Sequence, residues 1–348
     1  MAAGAVLVAL ALSELLLRVF DLAPTQGIVT MSARQFERLP GIFAPDQVVR
    51  DRRIPQLAVV VTVDSFGYRG ADFPRRKAPG EVRILTVGDS FVFGDYVADD
   101  STFPAQLERR LRPHCPGVRV INAGLGGTTI TEHAPMLERG LGLSLDYAIL
   151  MFSENDVTDL LATPPAWEQL AANRAAKSRF PLSVAYPVLR RTALFNLVLR
   201  ARARAAQVDH TDPTTAAAPD SEVTGLRAEY LRRFWAFRER VRSAGLPLTV
   251  VVYPSHHAVP DSSREAQLRW LARALADSAV DQVSALPALR ATGRGPTELF
   301  LLPYDGHPSG RGYAVAADTV GAHLVGRLAG CAGSPERPQP RGRKRAAR

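Results

Sequence analysis

The sequence predicts an α/β fold, in which a parallel sheet of about five strands lies between two layers of helices. Continuous apolar runs of strand length alternate along the chain with segments of helical periodicity. The run 147–152 is apolar throughout, as is typical of a parallel strand that is covered on both faces. Right-handed crossovers would join these strands into one three-layer α/β/α sandwich.

The predicted elements follow one another along the chain. The strands are expected near 82–88, 118–122, 146–152, 247–253 and, as a short strand, 279–283. The helices that cover them are expected near 102–112, 130–142, 262–278 and 310–328. With 348 residues, of which 46% are hydrophobic, the chain can form one sizeable core with extensions.

A long segment near 157–240 separates the third predicted strand from the fourth and exceeds a simple crossover. It has helical patterns near 187–206 and 222–244, with a predicted flexible loop between them that includes 209–215. Because this segment leaves and rejoins the sheet near the strand ends, it could form a lid or a substrate wall. A peripheral helical decoration is the alternative.

Gly88-Asp89-Ser90 ends the first predicted strand of the sheet. Glycine permits a sharp turn, and aspartate can cap the coming helix. The serine hydroxyl is left at the carboxyl end of a strand, where open α/β sheets place their sites. The tripeptide alone would also suit a plain helix cap, but later segments favour a nucleophilic serine.

Three later segments carry residues that acyl-transfer chemistry needs. The strand near 118–122 runs into a loop with three glycines, the last of which is Gly127. Asn155 follows the next apolar run, and Asp305 and His307 precede the last predicted helix. A parallel sheet brings the carboxyl ends of its strands to one edge, so these residues are expected to lie near Ser90.

The chemistry follows from these residue types. A serine hydroxyl becomes a good nucleophile when an imidazole takes its proton, and a third group must orient the imidazole. Ser90, His307 and Asp305 can fill these three roles. The backbone N–H groups of Ser90 and Gly127, with the Asn155 amide, would then donate hydrogen bonds to the oxyanion of a tetrahedral intermediate.

These four blocks resemble those of the SGNH or GDSL hydrolases, over about residues 82–328. The resemblance implies a flavodoxin-like sheet, the SGNH hydrolase fold, with neither cofactor nor metal. The functional residues that it implies are a catalytic triad of Ser90, His307 and Asp305 and an oxyanion hole of Ser90, Gly127 and Asn155.

Two positions depart from the family pattern. Ser153 stands where the third block usually has glycine, which could alter the loop before Asn155. Only one residue separates Asp305 from His307, whereas the fourth block usually has two. Polysaccharide-modifying relatives can use the shorter spacing, so Asp305 is kept as the orienting acid.

The resemblance implies an enzyme that hydrolyses esters through an acyl-enzyme, with an acylated saccharide or a small acyl ester as substrate. An O-acetyltransferase that uses the same triad is the first alternative. A carbohydrate-binding module without activity is the second. The oligomeric state is left open.

The amino end is apolar from Ala2 to Leu17 apart from Ser13 and Glu14. We expect it to anchor the protein to a membrane, with the catalytic domain outside the cytoplasm; a cleaved signal and an amphipathic or core helix are the alternatives. Asp64 to Gly70 resembles a segment that precedes the catalytic block in membrane-anchored bacterial relatives, although by its residues alone it is a turn with aromatic side chains.

Four regions are expected along the chain. These are an anchor or signal-like helix at 1–21, a stalk and lead-in at 22–80, the hydrolase domain at 81–330 with its insertion at about 157–240, and a basic disordered tail at 331–348. The tail from Pro335 has six basic residues and one acidic residue, which account for +5 of the net charge of +9. The body therefore gives no indication of a nucleic-acid partner.

Cysteines and histidines allow three further expectations. The two cysteines, Cys115 and Cys331, each follow a helix that starts at the catalytic edge, so they could meet at the opposite edge and form a disulfide. The tandem His256-His257 follows a strand end and is expected to contact substrate rather than a metal. His323 lies in a helical stretch and is expected to be structural.

Overall fold

Five parallel strands form the centre of the molecule, in the spatial order β4-β3-β5-β6-β7. The structure is a computed structural model that describes residues 2–20, 22, 42–51, 54–161, 172, 175–189, 191–208, 220–328 and 331. The strands of the sheet are β3 (Val82–Gly88), β4 (Val118–Gly124), β5 (Tyr147–Phe152), β6 (Leu248–Val252) and β7 (Gln282–Ser284). An antiparallel hairpin, β1 (Gln47–Asp51) and β2 (Val59–Val63), precedes them.

Helices connect and cover the strands. They are α1 (Ala2–Val19), α2 (Ser90–Phe93), α3 (Phe103–Leu111), α4 (Ile130–Leu141), α5 (Asn155–Thr158), α6 (Leu182–Leu189), α7 (Ala193–Val208), α8 (Asp220–Ser243), α9 (Ala266–Ala276), α10 (Leu286–Ala291), α11 (Pro296–Leu299) and α12 (Gly310–Leu324). Short 3-10 helices occur at Pro55–Leu57, Asp99–Ser101, Asp159–Leu161 and Ser262–Glu265. Within the sheet's cover, α3 packs on α12 and α4 packs on α8.

The predicted fold class is confirmed, because the five strands are all parallel and helices flank them. Every residue of β3 and β5 is buried, which explains why β5 is apolar throughout and why β3 is apolar apart from Arg83 and Thr86. The predicted helix at 262–278 begins as a 3-10 turn and continues as α9. The helical pattern at 187–206 is two helices, α6 and α7, and the loop predicted at 209–215 lies outside the described residues.

The lead-in segment contributes to the core of the molecule. From residue 42 onward, Ile42, Phe43, Val61 and Tyr68 are buried in the same hydrophobic cluster as the sheet. Arg69 also forms isolated bridges to β2 and to β4, which join the hairpin to the sheet. The boundaries of the four expected regions stay predictions.

Helices α1, α6 and α7 carry exposed apolar side chains, α1 packs on α7, and Tyr186 of α6 contacts Phe195 of α7; we refer to these helices as the three-helix region. The Glu14 carboxylate accepts hydrogen bonds from the N–H groups of Ala193 and Leu194, at 2.9 and 3.0 Å, and so caps α7. Arg18 donates to the carbonyl of Arg191. Among the described residues, no helix meets the length and hydropathy that a membrane crossing requires.

The expected disulfide is confirmed. Cys115 and Cys331 are bonded, with their Cα atoms 4.7 Å apart. Cys115 follows α3 and Cys331 follows α12, and these two helices pack on each other. The packing of the helices therefore brings the two sulfur atoms together, as the predicted topology allowed.

Candidate active site

Ser90 lies at the first position of α2, directly beyond the carboxyl end of β3. Asp89 is the N-cap, and its Oδ1 accepts a hydrogen bond from the N–H of Phe91 at 2.9 Å. Gly124, at the end of the neighbouring β4, allows α2 to approach closely, because a Cβ there would stand 2.0 Å from the nitrogen of Phe93. The expected cap and the expected nucleophile position are thus both present in one turn.

His307 reaches Ser90 from the loop before α12. Its Nε2 is 2.7 Å from the Ser90 hydroxyl oxygen, although 217 residues separate the two in sequence. On the other side of the ring, Nδ1 is hydrogen-bonded to the Asp305 carboxylate, and the backbone N–H of His307 donates to the same oxygen at 2.8 Å. The short spacing between Asp305 and His307 therefore suits the contact, since one carboxylate holds both the ring and the backbone.

The charges around His307 favour its protonated form. Burial lowers the pKa of the imidazole, but the hydrogen bond and charge of Asp305, with the charges of Asp95 and Asp89, outweigh this effect and raise the pKa above its ordinary value of 6.5. A ring that accepts a proton readily is suited to general base catalysis.

Asp89 has a second role beyond capping α2. Its Oδ2 accepts hydrogen bonds from the Ser153 hydroxyl at 3.0 Å and from the Asn155 amide at 3.1 Å. The side chain is 2% exposed, and burial raises its pKa. Ser153, which replaces the usual glycine, therefore helps to join the third block to the nucleophile turn.

The three expected oxyanion donors differ in how they are engaged. Among the described residues, no protein acceptor is bonded to the N–H of Ser90 or of Gly127. Gly127 has a φ of 73°, a left-handed conformation that favours glycine and orients the loop between β4 and α4. In contrast, the Asn155 amide donates to two carboxylates, Asp89 and Asp159.

Arg69 is a residue that the sequence did not reveal as part of this region. Its side chain donates to the carbonyls of Phe93, Gly94 and Val97 at 2.6 to 2.9 Å, and to the Asp99 carboxylate at 2.9 Å. It is 4% exposed. Arg69 thus fixes the segment that follows α2.

That segment forms one wall beside the imidazole. Tyr96 has a φ of 62°, and its ring centroid is 6.1 Å from that of His307. The Asp95 side chain is buried, and its charge raises the pKa of His307. The ring of Phe91 packs on the histidine at 5.4 Å.

The remaining histidines are placed differently. His256 lies against Gly306, with Cε1 3.2 Å from the position that a Cβ would take there. It is therefore beside the catalytic turn, and its contact with substrate stays a prediction. His323 accepts or donates a hydrogen bond through Nε2 to Asp281 at 2.9 Å, and its structural role stays a prediction. Among the described residues, no group of three or more histidine, cysteine or acidic side chains could hold a metal ion.

A serine, a histidine and an aspartate in hydrogen-bond contact at the carboxyl edge of a parallel sheet define the class of α/β serine hydrolases. The family comparison is more specific. Residues 86–315 match the model of the GDSL-like Lipase/Acylhydrolase family, and the chain belongs to this family. It is accordingly an enzyme that hydrolyses ester bonds.

Solved structures with a similar fold were also found. One is the acetylxylan esterase Axe2 from Geobacillus stearothermophilus, at 16% identity and a TM-score of 0.43, covering 72% of this chain and 97% of that one. Another is a member of the lipolytic protein G-D-S-L family from Veillonella parvula, at 11% identity and a TM-score of 0.41, covering 71% and 100%. No curated protein matches the chain in sequence.

Proposed function

We propose that the protein is a serine esterase that acts on O-acylated carbohydrate, with Ser90 as nucleophile, His307 as general base and Asp305 as orienting acid. The observation that carries this proposal is the continuous hydrogen-bonded path from the Ser90 hydroxyl through the imidazole to the Asp305 carboxylate. The carbohydrate class rests on the short spacing of Asp305 and His307, which resembles that of polysaccharide-modifying relatives.

Acylation follows from this geometry. The Ser90 Oγ attacks the ester carbonyl while its proton moves to Nε2 of His307, and an Oγ–C bond forms. The Asp305 carboxylate accepts a hydrogen bond from Nδ1–H, which leaves Nε2 as the acceptor for the serine proton and stabilises the imidazolium. The oxyanion receives hydrogen bonds from the N–H groups of Ser90 and Gly127 and from the Asn155 amide.

Acylation is completed when the Nε2 proton passes to the leaving alcohol oxygen and the ester C–O bond breaks. Deacylation then uses the same groups. Water then gives a proton to His307 and attacks the acyl-enzyme, and the acid is released as Ser90 regains its proton. A sugar hydroxyl in place of water would give acyl transfer by the same steps.

The test combines labelling with turnover. The purified full-length chain is treated with a serine-directed fluorophosphonate and, separately, with an acetylated oligosaccharide. We expect an adduct on Ser90 and release of acetate, and we expect Ser90→Ala to lose the adduct and to lower kcat by about 10⁶. A protein with neither adduct nor acetate release would be a binding module instead. Acetyl that moves to an added acceptor sugar would identify a transferase.

We also propose that the three-helix region binds the surface of a lipid membrane outside the cytoplasm. Apolar side chains of α1 and α6 are exposed, among them Leu12 at 53% and Val188 at 60%. Between these helices, Glu14 is paired with Arg18 and with the N–H of Ala193. Helices that lie on a membrane surface bury an apolar face at the boundary between the head groups and the acyl chains, and the disulfide is typical of an oxidising compartment.

Vesicle sedimentation tests this association. The full-length chain is expected to sediment with vesicles that contain anionic lipid, and Leu12→Glu with Val188→Glu to reduce the bound fraction several-fold. Val48→Glu is the matched control, because Val48 is 73% exposed but lies on the hairpin. Wild-type protein that stays in the supernatant, or a control that loses as much binding, would contradict the association. Mass analysis of exported protein should find Cys115 and Cys331 linked, and free thiols would argue against the compartment.

A further inference from the structure

The amide of Asn155 has no hydrogen left for an oxyanion. A primary amide carries two N–H hydrogens. One points to Oδ2 of Asp89 at 3.1 Å, and the other to Oδ2 of Asp159 at 2.8 Å. If Asn155 is an oxyanion donor, one of these two carboxylates must give up its hydrogen bond during the reaction.

The two carboxylates are not equally exchangeable. Asp89 is buried and also accepts from the N–H of Phe91 and the hydroxyl of Ser153, so it is fixed from three sides. The Asp159 side chain is partly exposed. Within the part of the chain that the structure describes, its carboxylate accepts one hydrogen bond, from the Asn155 amide. The hydrogen bond from Asn155 to Asp159 is therefore the one that can break when an oxyanion forms.

The electrostatics around Asp159 agree with this order. Burial raises the pKa of Asp159, the hydrogen bond from Asn155 opposes this rise, and the nearby charge of Asp89 adds to it. An anion in this place is poorly stabilised apart from the amide. The hydrogen bond from Asn155 thus stabilises the negative charge of Asp159, which is the same effect that an oxyanion would need from this amide.

We propose that Asp159 is a positioning residue that holds the Asn155 amide in the resting enzyme and competes with the oxyanion for it, which limits the rate of acylation. This inference rests on the proposed function. A carboxylate is a stronger acceptor than a neutral carbonyl oxygen, so it keeps the amide until negative charge develops on the substrate oxygen.

Asp159→Asn keeps the shape of the side chain and removes its charge. The carbonyl oxygen of the introduced side chain would still accept from the Asn155 amide but would release it more easily, because a neutral acceptor bonds less strongly than a carboxylate. We expect kcat for a soluble acetyl ester to rise about five-fold with KM unchanged. A purely structural role would lower both activity and stability.

The test measures this change in two backgrounds. In Asn155→Ala the amide is absent, so Asp159→Asn is expected to have no further effect. A boronate that forms a tetrahedral anion with Ser90 is titrated by calorimetry into the wild type, the two single variants and the double variant. Its affinity can be measured even where turnover is too slow. Its affinity is expected to rise about five-fold in Asp159→Asn alone.

Glu154→Gln is the matched control. Glu154 precedes Asn155 and is bonded to the N–H of Ser255, so its removal takes away a neighbouring negative charge without touching the amide. We expect a smaller change there than in Asp159→Asn. An unchanged or slower Asp159→Asn enzyme would overturn the inference, and so would an equal gain in the Asn155→Ala background. If the wild-type protein turns over esters in these assays, the proposed function stands whichever way Asp159 is decided.

Discussion

The edge of the sheet and the three-helix region treat polar and apolar groups in opposite ways. At the sheet edge, the Asp89 carboxylate is buried and accepts hydrogen bonds from three donors. In the three-helix region, apolar side chains are exposed, whereas the Glu14 carboxylate caps the first turn of α7. Buried polar groups cost free energy unless they are paired, and exposed apolar patches usually have a partner. The sheet edge thus buries charged groups, as the proposed catalytic role requires, and the three-helix region exposes apolar groups, as the proposed membrane contact requires.

The largest expected effect concerns the acid of the catalytic turn. Asp305→Asn is expected to lower kcat by about 10⁴, because the imidazole loses the partner that fixes its tautomer. In the wild type, kcat/KM rises with pH as His307 loses its proton, and the raised pKa places the midpoint above 6.5. The variant removes the charge that raises this pKa, so its midpoint moves to lower pH.

A pH series of kcat/KM on both proteins checks this expectation. Asp281→Asn is the matched control, because it alters an aspartate–histidine pair at His323, away from Ser90. It is expected to leave the pH profile unchanged. A variant at Asp305 that keeps the wild-type midpoint would show that Asp305 does not set the pKa.

Arg69→Met is expected to have the next largest effect. Three buried carbonyls and the Asp99 carboxylate lose their donor, and breaking such a buried charged network costs about 3–5 kcal/mol in the free energy of unfolding. Urea denaturation measures the loss. Arg232→Met removes an exposed arginine that pairs with Glu229 and is expected to leave stability nearly unchanged, because water screens an exposed ion pair. Equal losses in the two variants would contradict the role given to Arg69.

Ser153→Ala tests the link between the third block and the nucleophile turn. Its hydroxyl donates to a buried carboxylate, so we expect a loss of about 1.5–3 kcal/mol in the free energy of unfolding. Ser178→Ala, at an exposed serine, is the control and is expected to be nearly neutral. Thermal or urea unfolding distinguishes them, and a neutral Ser153→Ala would mean that Asp89 is satisfied without this donor.

The smallest expected effect lies in the three-helix region. Glu14→Ala removes the cap of α7 and is expected to cost about 0.5–2 kcal/mol locally, without a change in kcat. Hydrogen exchange of the α7 amides measures it. Glu239→Ala, an exposed acid on α8, should leave that exchange unchanged. Loss of esterase activity in Glu14→Ala would show that the two regions are coupled.

The strands and the catalytic turn were predictable because their signals are local. The burial of β3 and β5 follows from their apolar runs, and Gly88-Asp89-Ser90 marks the end of β3 in three adjacent residues. The contact of Ser90 with His307 was predictable because parallel strands end at one edge. The family match over residues 86–315 agrees with the blocks that suggested it.

Other contacts join residues whose pairing leaves no pattern in the sequence. Arg69 and Glu14 each find backbone partners far along the chain, and an arginine or a glutamate can satisfy many different partners. The hairpin was missed because β2 is only five residues long and lies among prolines and arginines. Asp159 could have been found, since it stands four residues after Asn155, a spacing that brings side chains together on a helix.

The link between Cys115 and Cys331 closes a covalent ring over 216 positions of sequence. Asn155, Asp305 and His307 lie within that ring, whereas Ser90 lies before it. A single backbone cut by a protease anywhere inside the ring would leave the two fragments tied together. Such a cut would be invisible on a gel without reductant, and two shorter bands would emerge only after the thiols are freed.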